Sequence, residues 1–257
     1  MRITLVGTGI SQGIPVIGCS CAACTSADLR DKRLRTAAVL EKGNTRIALD
    51  IGPDFRQQML RSGIHHLDAL CITHEHSDHI AGLDDIRPFN WILRGAMPLY
   101  AEPRVIEALT ARFPYAFQPP ERRYPGAPEL EVHPIASPLT PFTLGDIALT
   151  PFRVLHGKLP ILGFRADNLA YITDCSHLPD ESKALLRELD VLVINALRHT
   201  PHPMHFTLGE ALALIEELAP RRAYLTHLSH EMGPVDSFER TLPANVYVGQ
   251  DGMQISC

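Results

Sequence analysis

The stretch Thr73-His74-Glu75-His76-Ser77-Asp78-His79 decides how the rest of the chain is read. It packs three imidazoles and a carboxylate into six residues, at the end of the apolar run 69–73. Loops that leave the carboxyl ends of strands are where α/β folds assemble their sites. His74 and His76, two residues apart, can share one metal ion, while the turning chain carries Asp78 and His79 to a second ion close by. A surface turn made only of polar residues has no reason to follow this spacing.

Further candidate ligands stand in the same kind of place. Asp50 follows the run 46–49, His156 follows Val154-Leu155, Asp174 follows 170–173 and His227 follows 223–226. One histidine at a strand end is an ordinary polar residue. Four imidazole or carboxylate side chains so placed, added to the first cluster, supply the number of donors a binuclear centre needs. Other β-branched runs lie at 2–6, 37–40 and 191–194, and helices are predicted at 55–62, 104–112, 181–188 and 208–218. The last of these opens with Thr207-Leu208-Gly209-Glu210, the pattern of a capping box. Strands and helices alternate, which puts the chain in the α/β (α+β) class. No repeat, low-complexity tract or linker divides it, so residues 1–257 are expected to form a single hydrolase domain. The stretch 112–141 stands apart, because eight prolines rule out a continuous helix or a central strand. A surface excursion or a rim over the site is expected there.

From Asp50 to His227 the order Asp, His-x-His-x-Asp-His, His, Asp, His resembles the metallo-β-lactamase superfamily. The resemblance implies that His74, His76 and His156 hold one metal, that Asp78, His79 and His227 hold the other, and that Asp174 bridges them. Asp50 would orient ligands from behind. The implied fold is an αββα sandwich, two mixed sheets face to face with helices outside. Two divalent ions, Zn2+ or Mn2+, roughly 3.5 to 4 Å apart would provide a bridging hydroxide at neutral pH and stabilise developing negative charge. Phosphoesters, lactams and thioesters all suit that chemistry.

Gly18-Cys19-Ser20-Cys21-Ala22-Ala23-Cys24 crowds three of the six cysteines near the start, and Thr226-His227-Leu228-Ser229-His230 places an imidazole three residues beyond a catalytic ligand. In a reducing compartment such crowding suggests metal rather than disulfides. Cys19, Cys21, Cys24 and His230 make a tetrahedral set for a structural zinc that would pin the N-terminal loop at the site rim. Cys71 reads as core, and Cys175 as either packing or pocket lining. No Gly-Lys-Ser/Thr follows Gly7, Gly9 and Gly13, which excludes a P-loop and leaves turn formation beside the site.

Together with Gly7-Thr8-Gly9, Gln12-Gly13-Ile14-Pro15, Asp174-Cys175-Ser176-His177 and Gly249-Gln250-Asp251-Gly252-Met253, these segments resemble one branch of the superfamily. It is the branch that contains the phosphoribosyl cyclic phosphodiesterase of the carbon-phosphorus lyase pathway. There a further histidine, between the bridging aspartate and the last ligand, acts near the leaving group. His205 is the matching candidate, ahead of its loop neighbours His199 and His202, because it precedes Thr207 and a helix N-terminus that favours anions. Asp78, Asp174 and His205 are thus the candidate catalytic residues. The implied reaction is hydrolysis of a small cyclic or nucleotide-like phosphodiester, such as phosphoribosyl 1,2-cyclic phosphate or a 2',3'-cyclic nucleotide. A homodimer is implied by the same resemblance.

Composition narrows the competitors. With 45% hydrophobic and 21% charged residues, the chain of 257 is ordinary globular material. A net charge of -5 supplies no basic field for a phosphate backbone. That weighs against an RNA-processing nuclease of the same superfamily, the alternative enzyme, and no stable nucleic-acid binding is expected. A non-catalytic metal-binding scaffold is the alternative of a different class, but it would have no need to keep every donor position filled. No window approaches the roughly 18 apolar residues of a membrane span. Met1 leads straight into the run 2–6 without a signal peptide, so a cytoplasmic location with no membrane partner is expected, which disfavours an exported lactamase.

Overall fold

The apolar runs become strands because both of their faces are covered. Ala37, Val39 and Ala48 turn toward one apolar cluster, while Ala38, Leu40, Ile47 and Leu49 turn toward another. A strand buried on both faces reads as a continuous apolar run rather than an alternating one. The computed structural model describes residues 1–257. Its strands in chain order are Arg2–Gly7 (β1), Ala37–Lys42 (β2), Thr45–Leu49 (β3), Ala69–Cys71 (β4), Met97–Ala101 (β5), Leu130–Pro134 (β6) and Phe142–Leu144 (β7). They continue as Ile147–His156 (β8), Leu159–Ala166 (β9), Leu169–Ile172 (β10), Val191–Asn195 (β11), Arg222–Thr226 (β12), Val246–Val248 (β13) and Met253–Ser256 (β14).

Two seven-stranded sheets result, ordered β14-β1-β2-β3-β4-β5-β6 and β13-β12-β11-β10-β9-β8-β7. In the first, β14, β1, β2 and β3 pair antiparallel and β3 to β6 pair parallel. In the second, β7 to β10 pair antiparallel and β10 to β13 parallel. Helices Phe55–Ser62, Arg87–Leu93 and Pro103–Arg112 lie on the first sheet over a cluster that includes Ile51, Phe55 and Phe89. Helices Asp180–Leu185 and Leu208–Leu218 lie on the second over Leu186, Leu214 and Ile215. Leu5, Phe164 and Tyr171 fill the space between the sheets. Each such side chain, fully buried, contributes roughly 1.5–3 kcal/mol, and the layers follow as the αββα sandwich.

Every strand and helix expected from periodicity is present, the helices 55–62 and 208–218 with the expected ends and most of the others with shifted ends. β4 stops at Cys71, short of the run 69–73, because Thr73 gives its amide and hydroxyl to Asp50 rather than to a neighbouring strand. The helix expected over 181–188 spans Asp180–Leu185, and Glu188 beyond it takes a φ of 58°. Helix Leu208–Leu218 carries the full capping box: Thr207 Oγ1 accepts the Glu210 amide at 3.1 Å and Glu210 Oε2 accepts the Thr207 amide at 2.8 Å. In 112–141 the prolines leave only an edge strand, β6, whose last residue Pro134 deprives no central ladder of a donor. No helix is long and apolar enough to cross a membrane.

Candidate metal centre

Three site residues sit just past strand ends in left-handed backbone: Asp50 at φ 66°, Asp174 at φ 54° and His227 at φ 54°. Asp and His tolerate this region better than most side chains, yet it still costs about 1 kcal/mol or more per residue. The turn swings each side chain off its sheet face and into the seam between the sheets. The loop after β4 is held there by backbone bonds, Ile51 N to His79 O and Gly82 N to Ile51 O, both at 2.8 Å. Gly52 permits this approach, since a Cβ on it would lie 2.0 Å from the Asp78 carbonyl oxygen.

Asp50 is fully enclosed and accepts from the Thr73 amide at 2.8 Å, the Thr73 hydroxyl at 2.9 Å and His79 Nδ1 at 2.7 Å. With its Nδ1 donating to Asp50, His79 points Nε2 toward two carboxylates. That nitrogen lies 3.1 Å from Asp174 Oδ2 and 3.2 Å from Asp78 Oδ2, buried and without a hydrogen bond. A ring nitrogen and two carboxylate oxygens converging on one point call for positive charge between them, a proton on Nε2 or, in its place, a metal cation. Burial works against charge on His79, but the carboxylates of Asp174, Asp78 and Asp50 outweigh it and hold the imidazole well above its usual range. Asp174, although buried, is held well below the carboxylate range by His227 and His79.

The other imidazoles are oriented in the same manner. Thr73 Oγ1 accepts from His74 Nδ1 at 2.9 Å, the Met204 carbonyl accepts from His156 Nδ1 at 2.7 Å, and Thr36 Oγ1 lies 3.2 Å from His227 Nδ1. Each pairing turns Nε2 inward. His227 Nε2 reaches within 3.2 Å of Asp174 Oδ1, and His74 Nε2 lies 3.1 Å from His76 Nδ1. Burial lowers the pKa of His74, His76 and His227, keeping them neutral and able to donate a lone pair. The donors gather into two groups, His74 with His76 and His156, and Asp78 with His79, Asp174 and His227, each with its ligand atoms within 4.8 Å of one another. The donor chemistry, hard carboxylates mixed with imidazoles, fits a divalent cation.

The structure also separates the three histidines of the 199–205 loop. His205 lies tilted 4.6 Å from His156 and stacked 4.9 Å from His227, with Nδ1 3.7 Å from Asp174 Oδ1 and buried without a partner. Bonds from Phe206 N to Cys175 O and from Leu197 N to Phe206 O hold it in place. Burial first, then His227, push His205 down to about 3. His202 lies one ring further out, 5.1 Å from His205, and His199 packs against Phe238 instead.

Cys19, Cys21 and Cys24 also come together with His230, which is far from them in sequence. Thr8 and Ile10 make the connection, pairing with Leu228 through Leu228 N to Thr8 O at 2.9 Å and Ile10 N to Leu228 O at 3.1 Å. Cys19 Sγ and Cys21 Sγ each stand 3.3 Å from His230 Nδ1. Hydrogen bonding from the Cys24 backbone, then His230, holds the Cys21 thiol down at about 6, while burial pushes Cys24 up to about 11. Cys71 and Cys175 are fully buried among apolar side chains, which resolves Cys175 as packing. Gly7 and Gly9 serve close approach as much as turning: a Cβ on Gly7 would lie 1.9 Å from the Arg35 carbonyl oxygen, and one on Gly9 would lie 2.9 Å from Arg33 Cβ. Sequence reasoning missed Thr73, Thr36 and the Met204 carbonyl, because a hydroxyl or a peptide oxygen carries no distinguishing signal.

Residues 45–228 match the beta-lactamase superfamily domain, which defines the class as a metal-binding hydrolase fold. A crystal structure of a diphosphatase from the PhnP family is 38% identical, with a TM-score of 0.92 over 100% of this chain and 97% of that one. The chain thus belongs to the beta-lactamase superfamily and, within it, to the PhnP family. An octanoyltransferase from Porphyromonas gingivalis is 38% identical over 99% of this chain and 51% of its own length, so the chain spans about half of that relative. Zn2+-bound PqqB from Methylobacterium extorquens has a TM-score of 0.79 at 18% identity, covering 100% of both chains, a likeness of fold alone.

Proposed function

We propose that the chain is a phosphodiesterase for small cyclic or nucleotide-like phosphodiesters and works with two divalent ions, Zn2+ or Mn2+. The carrying observation is the pair of converging donor groups with His205 beside them. His74, His76 and His156 would hold one ion, Asp78, His79 and His227 the other, and Asp174 would span both. When bound, two such ions supply a water-derived nucleophile at neutral pH and draw off the charge that builds on phosphoryl oxygens. Asp50 fixes the tautomer of His79, and the Met204 carbonyl fixes that of His156. His205 faces the same space and can give a proton or a hydrogen bond to the leaving oxygen, the anionic phosphoryl group offsetting the burial that otherwise keeps it neutral. A cavity of about 660 Å3 opens beside it, a size suited to a small ester.

The PhnP-family neighbour is described as a diphosphatase, which makes a phosphoanhydride bond the second reading. Acyl transfer is not carried over, since the octanoyltransferase has about as much sequence again outside the matched part. The test is metal analysis followed by a panel of linear and 2',3'-cyclic phosphodiesters and a diphosphate-linked compound, with a phosphomonoester and a β-lactam as controls. Cyclic phosphodiesters should turn over, stop on chelation and resume with Zn2+ or Mn2+. Turnover of structured RNA with salt-sensitive binding would favour a nuclease instead. No turnover of any phosphorus ester would leave a metal-binding scaffold.

Cys19, Cys21, Cys24 and His230 are proposed to hold a zinc that serves folding, because four protein ligands leave no position for water. Cys21→Ser should remove one zinc per chain and lower the Tm by roughly 5–10 °C, a few kcal/mol in a chain of this size. Calorimetry and metal counting together decide it: three metals per chain in the variant would refute the site.

A further inference from the structure

The segments Gly7-Thr8-Gly9 and Gly249-Gln250-Asp251-Gly252-Met253 supply no metal donor, yet the fold brings them together behind one of the ligands. Thr8, Gly9 and Ile10 run between two other pieces of chain. On one side Leu228 N donates to Thr8 O at 2.9 Å and Ile10 N donates to Leu228 O at 3.1 Å. On the other side Gly9 N donates to Leu34 O at 2.8 Å and Thr36 N donates to Gly9 O at 3.0 Å. Asp251 braces both from the far end of the chain, its carboxylate accepting the Thr8 hydroxyl at 2.8 Å and the Leu34 amide at 2.7 Å. The buried Arg33 guanidinium completes the clamp, donating to Thr8 Oγ1 at 2.7 Å and to the Gly249 carbonyl at 2.6 Å.

What the clamp fixes is the Gly9 carbonyl, and that carbonyl decides which way the buried Thr36 hydroxyl points. The hydroxyl has one proton and two neighbours, the Gly9 carbonyl oxygen at 2.8 Å and His227 Nδ1 at 3.2 Å. The shorter bond takes the proton, so the hydroxyl turns a lone pair to His227 and the ring donates from Nδ1. His227 Nε2, 3.2 Å from Asp174 Oδ1, is then the position where a metal cation takes the place of a proton. His74 finds its partner in the residue before it, Thr73, whereas His227 depends on a hydroxyl 191 positions away.

We infer that Thr36 is a positioning residue of the metal centre: held by the Gly9 carbonyl, its hydroxyl keeps the His227 proton on Nδ1 and so sets the affinity for the ion that His227 would share with Asp78 and His79. Resting on the reading of His227 as a metal ligand, the role is indirect, since Thr36 acts through the imidazole and touches no substrate. The two glycine-containing segments gain a task by it. They hold the carbonyl that orients the hydroxyl that orients the ligand. Partners of this kind typically contribute 10- to 100-fold in metal affinity.

Thr36→Val keeps the shape of the side chain and removes the hydroxyl, while Thr36→Ser keeps the hydroxyl. Stripped full-length protein is titrated with Zn2+ and, separately, with Mn2+ against a competing chelator, and the Tm is read before and after loading. Thr36→Val should bind one ion roughly 10- to 100-fold more weakly than wild type, and Thr36→Ser should restore the affinity. The Tm gained on loading should shrink in Thr36→Val, with the metal-free Tm little changed. In Zn2+-loaded protein, proton NMR should show a slowly exchanging His227 Nδ1 proton in wild type and Thr36→Ser that is lost in Thr36→Val. A merely structural role would lower the metal-free Tm and leave the affinities alone, and that result would overturn the assignment, as would equal losses in both variants. A wild-type chain that binds neither ion would instead sink the reading of His227 as a ligand, and this role with it.

Discussion

Asp174→Ala is expected to lose bound metal and phosphodiester hydrolysis together, with turnover down by at least about 10³-fold, more than deletion of a single oxyanion donor usually costs. The side chain reaches His79 Nε2 at 3.1 Å through one oxygen and His227 Nε2 at 3.2 Å through the other. No neighbour can replace it, because Asp50 already spends both oxygens on Thr73 and His79. Truncation also leaves buried imidazoles facing one another without an anion between them, so metal affinity should fall even where the fold persists. Inductively coupled plasma analysis beside the rate assay provides the check. Two ions retained at the centre with full turnover would remove Asp174 from its assigned place.

For His205→Ala the expectation is different: metal content unchanged and turnover lower by roughly 10² to 10⁴-fold on a substrate with a poor alkoxide leaving group, the usual contribution of a general acid. His156, Asp174 and His205 also bring ligand atoms within 4.8 Å of one another, so the metal count itself discriminates between proton donor and ligand. With p-nitrophenolate, which departs without a proton, the defect should shrink if His205 is an acid and persist if it steadies phosphoryl charge. His199→Ala should behave as wild type, since that ring lies against Phe238. Unchanged rates on both substrates in His205→Ala would end its candidacy.

The donors were legible in sequence because few residue types bind divalent ions, and each of these follows an apolar run that could only be a strand. Choosing among His199, His202 and His205 needed coordinates: all three share a loop, and only the bonds of Phe206 to Cys175 and Leu197 turn His205 inward. Three of the six strands without an expectation behind them share a cause. Pro98 in β5, Pro134 in β6, and Pro160 with Gly163 in β9 break the local pattern, and tertiary pairing overrides the propensity. Helix Arg87–Leu93 hides similarly behind Pro88, which is well placed in a first helical turn.

Each donor group draws on both halves of the sandwich. His74, His76, Asp78 and His79 come from the loop after β4 in one sheet, while His156, Asp174 and His227 come from the ends of β8, β10 and β12 in the other. An ion held there acts as a rivet through two plates. Binding to the folded state at about a hundred times Kd adds about 2.7 kcal/mol per ion, and in this arrangement that cohesion falls on the joint where the sheets meet. On that reading chelation would loosen a mechanical fastening as well, and a metal-starved chain would part first along its seam.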